Sequence, residues 1–339
     1  MTRPFTILGS CKQELIEDQE KLLWHASETL IATQCTNKRW LYCIASDRDS
    51  CHCHALCNIT LISNLHPTTL ALSSLLFFNT RCGANEITSD FDWKHIFKWF
   101  QNTLLFLKGI SINGIPLSIS TIKFHLVACG MSASTADTLL SPNDKQDVIL
   151  MIKLLNTISK LAPALDTDTP LTKSTCQALI LLGWVYHHLL NAYMDVQLSL
   201  HEQLVHLSPA AHLILTMYHT NKGEFIPVQT FFDVMSMIKN VYFCIAKIQV
   251  DDLTRSLWII SLGSDGLEKV FRKVCSMVGN DTNTDQLQLT NRIDGAVQCV
   301  KIPEIHPEWG GQSWCLNIKP LPFDATDISN KYDHINLKS

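Results

Sequence analysis

Charge is scarce in this 339-residue chain: Asp, Glu, Lys and Arg make up 17% of it, and the net charge is −4. Apolar residues reach 46%, so wholesale disorder is excluded and a sizeable core is expected. The slightly acidic balance gives no global attraction to nucleic acid. Any DNA contact needs a local basic patch, and no basic run longer than a few residues is visible. Long hydrophobic runs are missing too. Ala178 to Val185 ends at His187-His188, well short of the roughly 20 residues that span a bilayer. The opening MTRPFTILGSCKQE has no basic region followed by an apolar one, so no signal peptide is expected. Thirteen cysteines, an odd number in a long chain, argue against a secreted disulfide framework. The expectation is a nuclear or cytoplasmic protein with reduced thiols, not secreted and without a membrane partner.

Several motifs are absent as well. There is no P-loop, dinucleotide fingerprint, Gly-x-Ser-x-Gly elbow or His-Glu-x-x-His pair, so nucleotide kinases, serine hydrolases and zincins have no support. Internal repeats and low-complexity tracts are also lacking. Arginine is confined to positions 3, 39, 48, 81, 255, 272 and 292, whereas His (14), Cys (13) and Trp (8) are plentiful.

The hydrophobic pattern predicts mostly helix. Leu15, Leu22, Leu23, Ala26 and Leu30 give a helix over 14–31, and the short aromatic and β-branched run 40–45 suits a buried strand ending at Ser46-Asp47. Segments 55–65 and 70–78 read as helical, 86–92 as a second strand, and 93–107 as a helix. Ser141-Pro142-Asn-Asp144 has the form of a helix start, with a Ser cap and Pro at the first position. A Pro-containing linker at 162–172 precedes long helices near 173–196, 199–220 and 228–249. Leu257 to Leu262 reads as a strand, and the tail after Pro303 as irregular.

The sharpest local signal is Asp265-Gly-Leu-Glu268. A spacing of three puts both carboxylates on one face at the start of a helix. Clustered acids repel unless a divalent ion relieves them, which is how two-metal phosphoryl-transfer sites are built. The plainer reading is that Ser264 caps the helix, Asp265 is a first-turn acid and Glu268 pairs with Arg272. Asp47, with Asp49 beside it, ends a buried strand, where acids either bind ligands or cap the next helix. Cys51-His-Cys-His-Ala-Leu-Cys57 offers soft ligands for zinc, with Cys82 as the nearby addition, but the usual second ligand pair is missing. His187, His188, His201, His206, His212 and His219 read as single histidines on mixed helical faces.

Several of these segments together resemble transposases of the P-element and THAP type. Ser264-Asp-Gly-Leu-Glu-Lys-Val-Phe271, followed by Val278-Gly-Asn-Asp-Thr-Asn283, is similar to their C-terminal Asp-x-x-Glu-x-x-Phe motif and Asn-rich turn. Phe91-Asp-Trp-Lys-His-Ile-Phe-Lys98 is similar to their Phe-Asp-x-x-His segment, and Ile44-Ala-Ser-Asp47 to the strand that carries a catalytic aspartate. Over nearly its full length the chain also resembles a group of transposon-associated proteins from mushroom-forming fungi. The resemblance implies a partial RNase H-like α/β sheet interrupted by a large helical insertion, so the fold class is mostly α with a small β component. It divides the chain into a partial RNase H-like segment at 1–93, a helical insertion at 94–256, a final strand and helices at 257–302, and an irregular tail at 303–339.

In an intact relative, the resemblance implies Asp47 and Glu268 as catalytic ligands of Mg²⁺ or Mn²⁺. Asp265 would support them, Asp92 and His95 would lie near the site, and DNA would be the partner. No segment before helix 14–31 can hold the first three strands and their Asp, so loss of strand transfer is expected and no metal need bind. The resemblance to the fungal group implies arginine where this chain has Cys51-His-Cys-His54, Cys275 and Trp314-Cys315. Single C-to-T transitions in CGN arginine codons yield Cys, His and Trp, which fits a silenced element and requires CGN codons there in intact copies. Two rivals remain: a non-enzymatic helical module with a protein partner on its helical block, and a zinc protein using Cys51, Cys53, Cys57 and Cys82.

Overall fold

A computed structural model describes residues 15–34, 41–46, 50–66, 71–141, 147–163, 165, 168–251, 256–277 and 286–306. The chain divides into two units: residues 1–92, 243–255 and 261–317 form the first, and residues 93–242, 256–260 and 318–339 the second. The fold is mostly helical, with a few short strands in two-stranded sheets.

The first unit opens with α1 (Ile16–Gln34), β1 (Cys43–Ser46) and α2 (Ser50–Thr60). Two further strands, β2 (Ser63–Asn64) and β3 (Arg81–Cys82), pair antiparallel, and β4 (Thr88–Phe91) pairs parallel with β1. Parallel neighbours require a crossover, and α2 provides part of it, packing on β1 and β4 while α1 packs on α2. All four residues of β4 are buried, as expected of a strand covered on both faces. Two more helices belong to this unit, α10 (Asp265–Ser276) and α11 (Gln286–Ile305). Val270 and Val274, one turn apart on α10, close over Ala296 and Val297 of α11, with Leu289 and Ile293 alongside.

The second unit contains α3 (Trp93–Leu104), the hairpin β5 (Ile110–Ile112) and β6 (Ile115–Leu117), and α4 (Ile119–Ala128), α5 (Ala133–Leu140) and α6 (Val148–Ile158). The long helices α7 (Pro170–Met194) and α8 (Leu200–Asn221) follow. The next helix, α9 (Val228–Asp251), belongs to this unit up to Tyr242 and to the first unit from Phe243. On α3 the buried residues Trp93, Ile96, Phe97, Phe100 and Leu104 repeat at helical spacing and form one apolar stripe. Trp93 meets Phe97 edge-on with ring centres 5.3 Å apart and stacks on Tyr193 at 6.0 Å, while Phe100 meets Tyr186 at 5.6 Å. Gly183 lets α7 come close to the end of α6, since a Cβ there would lie 2.6 Å from the Ile158 carbonyl oxygen.

Some expected elements differ. Residues 71–77 form turns, not a helix: Leu75 and Phe78 bond carbonyls three residues back, and Ser74 Oγ donates to the Ala71 carbonyl in competition with the backbone. The strand expected at 257–262 is instead a 3₁₀ turn at Ile259–Ser261, because so short an apolar run has no periodicity of its own. Ser141 ends α5 rather than starting a helix, and Asp147 caps α6 by accepting from the Leu150 N–H. The β5–β6 hairpin was not expected. It turns on Asn113-Gly114, both at positive φ (53° and 76°), the pairing a type I′ turn requires.

His125 on α4 is only 4% exposed, and its Nε2 lies 2.8 Å from Thr175 Oγ1. The Thr175 hydroxyl donates to the carbonyl of Leu171 or Thr172, so its oxygen accepts and His125 carries its proton on Nε2. Burial lowers the imidazole below its ordinary 6.5, against a smaller upward pull from Asp168. A depressed histidine means that the unfolded chain takes up a proton the folded chain refuses. Stability contributed here is full above about pH 6.5 and falls as pH drops towards the folded value. Chemical denaturation between pH 7 and 5 is expected to show this loss, and His125→Gln to flatten it. An unchanged slope in the variant contradicts the assignment.

Candidate functional site

Because β1 and β4 run parallel with Ser46 opposite Phe91, both strands end at the same edge of their sheet. Asp92 follows β4 there and is only 2% exposed. A buried carboxylate needs hydrogen-bond donors, and the turn that starts α10 supplies some. Asp92 Oδ2 accepts the Ser264 backbone N–H at 3.1 Å and lies 3.2 Å from Ser264 Oγ. The same Oγ lies 2.8 Å from Glu268 Oε1. A serine hydroxyl carries one proton, so the shorter contact to Glu268 holds it more strongly and the Asp92 contact is the weaker branch. One serine therefore joins two carboxylates from distant parts of the sequence.

Gly263 makes this approach feasible. Its φ is +107°, and a Cβ there would lie 2.9 Å from Asp92 Oδ2 and 3.1 Å from Asp92 Cα. The first turn of α10 is then closed by the Leu267 and Glu268 N–H groups, which donate to the Ser264 carbonyl at 2.9 and 3.0 Å. Ser264 stands at the cap position but makes no side-chain cap bond. This corrects the plain reading of Ser264 as an ordinary capping serine: its hydroxyl serves the two acids instead.

Of the residues singled out by sequence, the structure brings Asp92 and Glu268 to one corner. Asp47 lies outside the described residues. Asp265 is the first residue of α10, and its side chain is likewise outside them. His95 stands half-buried in the first turn of α3, in the second unit. Glu268 itself is exposed. Among the described residues, the only three or more His, Cys, Asp or Glu side chains placed to share one ion are histidines on α7 and α8. Two magnesium-class ions need several clustered acids. The described pair, bonded to one serine, does not by itself make up that donor set. Among the described residues, Cys53, Cys57 and Cys82 do not form a shared-ion group either, and the Cys51 side chain is outside them.

Two buried charged residues near this sheet escape sequence reasoning. Asp90 lies within β4 itself. Lys247 on α9 is 0% exposed, and its ammonium donates to the Tyr42 carbonyl just before β1. Burial lowers its pKa, opposed by the neighbouring Cys244, Cys43, Glu86 and Cys82. Tyr42 Oη in turn donates to Asp251 Oδ2 at 2.8 Å, so the end of α9 is tied to the strand by two polar bonds. The signal was a single lysine in an apolar helical stretch, which alone does not distinguish a snorkelling side chain from a buried one.

No family model and no curated protein matches this chain. Among solved structures it is similar to a chain of the "Drosophila P element transposase strand transfer complex", at 16% sequence identity and a TM-score of 0.57. The match covers 79% of this chain and 62% of the other, so the present chain spans about three-fifths of its neighbour's length. At that identity the likeness is one of fold: the chain has a mostly helical, transposase-like fold. Among the described residues, no helix is long and apolar enough to cross a membrane.

Proposed function

We propose that this chain is a transposase-related protein of RNase H-like ancestry that does not cut DNA by itself. The observation that carries the reading is the corner where Asp92, after a parallel strand, and Glu268, on a late helix, meet through Ser264. The transposase-like fold supports it. In this reading Asp47 and Glu268 descend from the metal ligands, with Asp265 as their supporting acid. Asp92 is a positioning residue that fixes the start of α10. In an intact relative the acids would hold Mg²⁺ or Mn²⁺, which would activate the attacking oxygen and stabilise the leaving one during cleavage and strand transfer. DNA is the partner of that ancestral activity. The likeness to THAP-type enzymes and to the fungal transposon-associated group belongs to the same proposal.

The loss of activity is argued from the donor set. Among the described residues, Glu268 bonds the Ser264 hydroxyl and no three acidic side chains are placed to share an ion. The test is a nicking assay on supercoiled plasmid in Mg²⁺ and in Mn²⁺. Wild type and Glu268→Gln are expected to give the same background. Nicking by the wild type that Glu268→Gln abolishes would refute the inactive reading while upholding the ancestry.

A further inference from the structure

Helices α7 and α8 pack along one another, and three histidines meet across their contact. His187 and His188 come from α7 and His206 from α8, with one ligand nitrogen of each lying within 4.8 Å of the others. His188 Nδ1 and His206 Nδ1 are 3.0 Å apart. The three ring centres are separated by 5.3, 5.6 and 5.2 Å. Zinc bonds of 2.0–2.1 Å in tetrahedral geometry separate ligand nitrogens by about 3.3 Å, so the closest pair needs to move by only a few tenths of an ångström.

We infer that His187, His188 and His206 form a site for one divalent transition ion of the zinc class, which clasps α7 to α8. Three neutral imidazoles suit zinc, copper or nickel, whereas magnesium and calcium require oxygen ligands. His187 is exposed and the other two half-buried, so the fourth position opens to water. The proton that the His188–His206 contact now shares moves to an Nε2 when both Nδ1 atoms bind the ion, and each ring stays neutral.

The surroundings fit that state. Burial and neighbouring imidazoles lower the pKa of His188 and His206, which favours the uncharged, metal-competent form. Asp195 and Glu202 pull His206 the other way, but the Glu202 carboxylate is already engaged, accepting from the Ser199 N–H and hydroxyl at 2.7 Å each. The Asn191 side-chain nitrogen lies 3.1 Å from His187 Nε2 and 3.2 Å from Nδ1 and donates to whichever carries the lone pair, so this contact gives way when the ion binds. A plain His–His hydrogen bond would account for His188 and His206, but not for a His187 nitrogen lying within 4.8 Å of both. The inference is independent of the transposase reading, since it uses none of that corner.

The test uses the full chain, stripped with a chelator and titrated with Zn²⁺ against a chromophoric competitor. One equivalent is expected to bind and to raise the melting temperature. His188→Ala and His206→Ala are each expected to weaken binding by more than the 10–100-fold that losing an outer-shell partner costs. Cu²⁺ electron paramagnetic resonance of the wild type supplies a check independent of folding in the variants, and should show coupling to several imidazole nitrogens. Absence of binding by the wild type overturns the inference. So does binding that survives the triple variant, or a Co²⁺ spectrum dominated by thiolate charge transfer, which would assign the ion to cysteines.

Discussion

Replacing Trp93 with Ala is expected to cost about 3–5 kcal/mol, the range for deleting a buried aromatic. The indole is 2% exposed, packs on Phe97 and Tyr193, and donates from Nε1 to the Ile260 carbonyl at 3.2 Å. Three losses coincide in the variant: apolar area, ring–ring contact and a carbonyl partner. Trp93→Phe separates them, because it keeps a ring and loses the hydrogen bond, which is worth about 1 kcal/mol. With about 2–4 °C per kcal/mol for a unit of 150–250 residues, Trp93→Ala should lower the melting transition by about 6–20 °C. Two units need not melt together, so hydrogen exchange in α3 and α7 is the sharper readout. Protection there should fall much further in the Ala variant than in the Phe variant. Equal loss in both would mean that the hydrogen bond, not packing, dominates.

The second large effect lies one residue earlier, in the other unit. Asp92→Ala leaves the buried Ser264 N–H without its acceptor and releases the Ser264 hydroxyl wholly to Glu268. Hydrogen bonds to a charged acceptor are worth about 1.5–3 kcal/mol, and an orphaned buried donor costs a similar amount, so a loss of about 2–3 kcal/mol is expected. Asp92→Asn keeps an acceptor oxygen of nearly the same shape and should recover about half. Hydrogen exchange at residues 264–270 reads the start of α10 directly. If the Ala variant leaves that protection unchanged, Asp92 does not position the helix. The Gly263 backbone makes the arrangement unforgiving, since its positive φ and its contact with Asp92 exclude a side chain there.

These two neighbours also mark how much the sequence could say. The α3 stripe from Trp93 to Leu104 was legible because its apolar spacing is purely local. The parallel strands fall within the expected runs 40–46 and 86–92, but their pairing and register are not legible, since 45 residues separate Cys43 from Thr88. Asp92 and Glu268 were both candidates, yet the serine that joins them was read as a cap, because cap geometry is the usual fate of Ser before a helix. The histidine trio was missed for a related reason. Along single helices His187, His188 and His206 read as isolated residues, and their meeting point exists only once α7 and α8 have packed. The hairpin at Asn113-Gly114 does carry a local signal, a type I′ turn pair flanked by isoleucines.

The central claim is that Asp47 and Glu268 descend from one metal site. A crystal structure determined after soaking in Mn²⁺ tests it most directly. The account predicts the two carboxylates within about 4–5 Å of each other at the end of β1, close enough for one ion to bridge with bonds of about 2 Å, whether or not an ion is retained. Carboxylates held far apart would contradict the catalytic ancestry of these residues and favour a helical interaction protein whose acids only begin and end its elements.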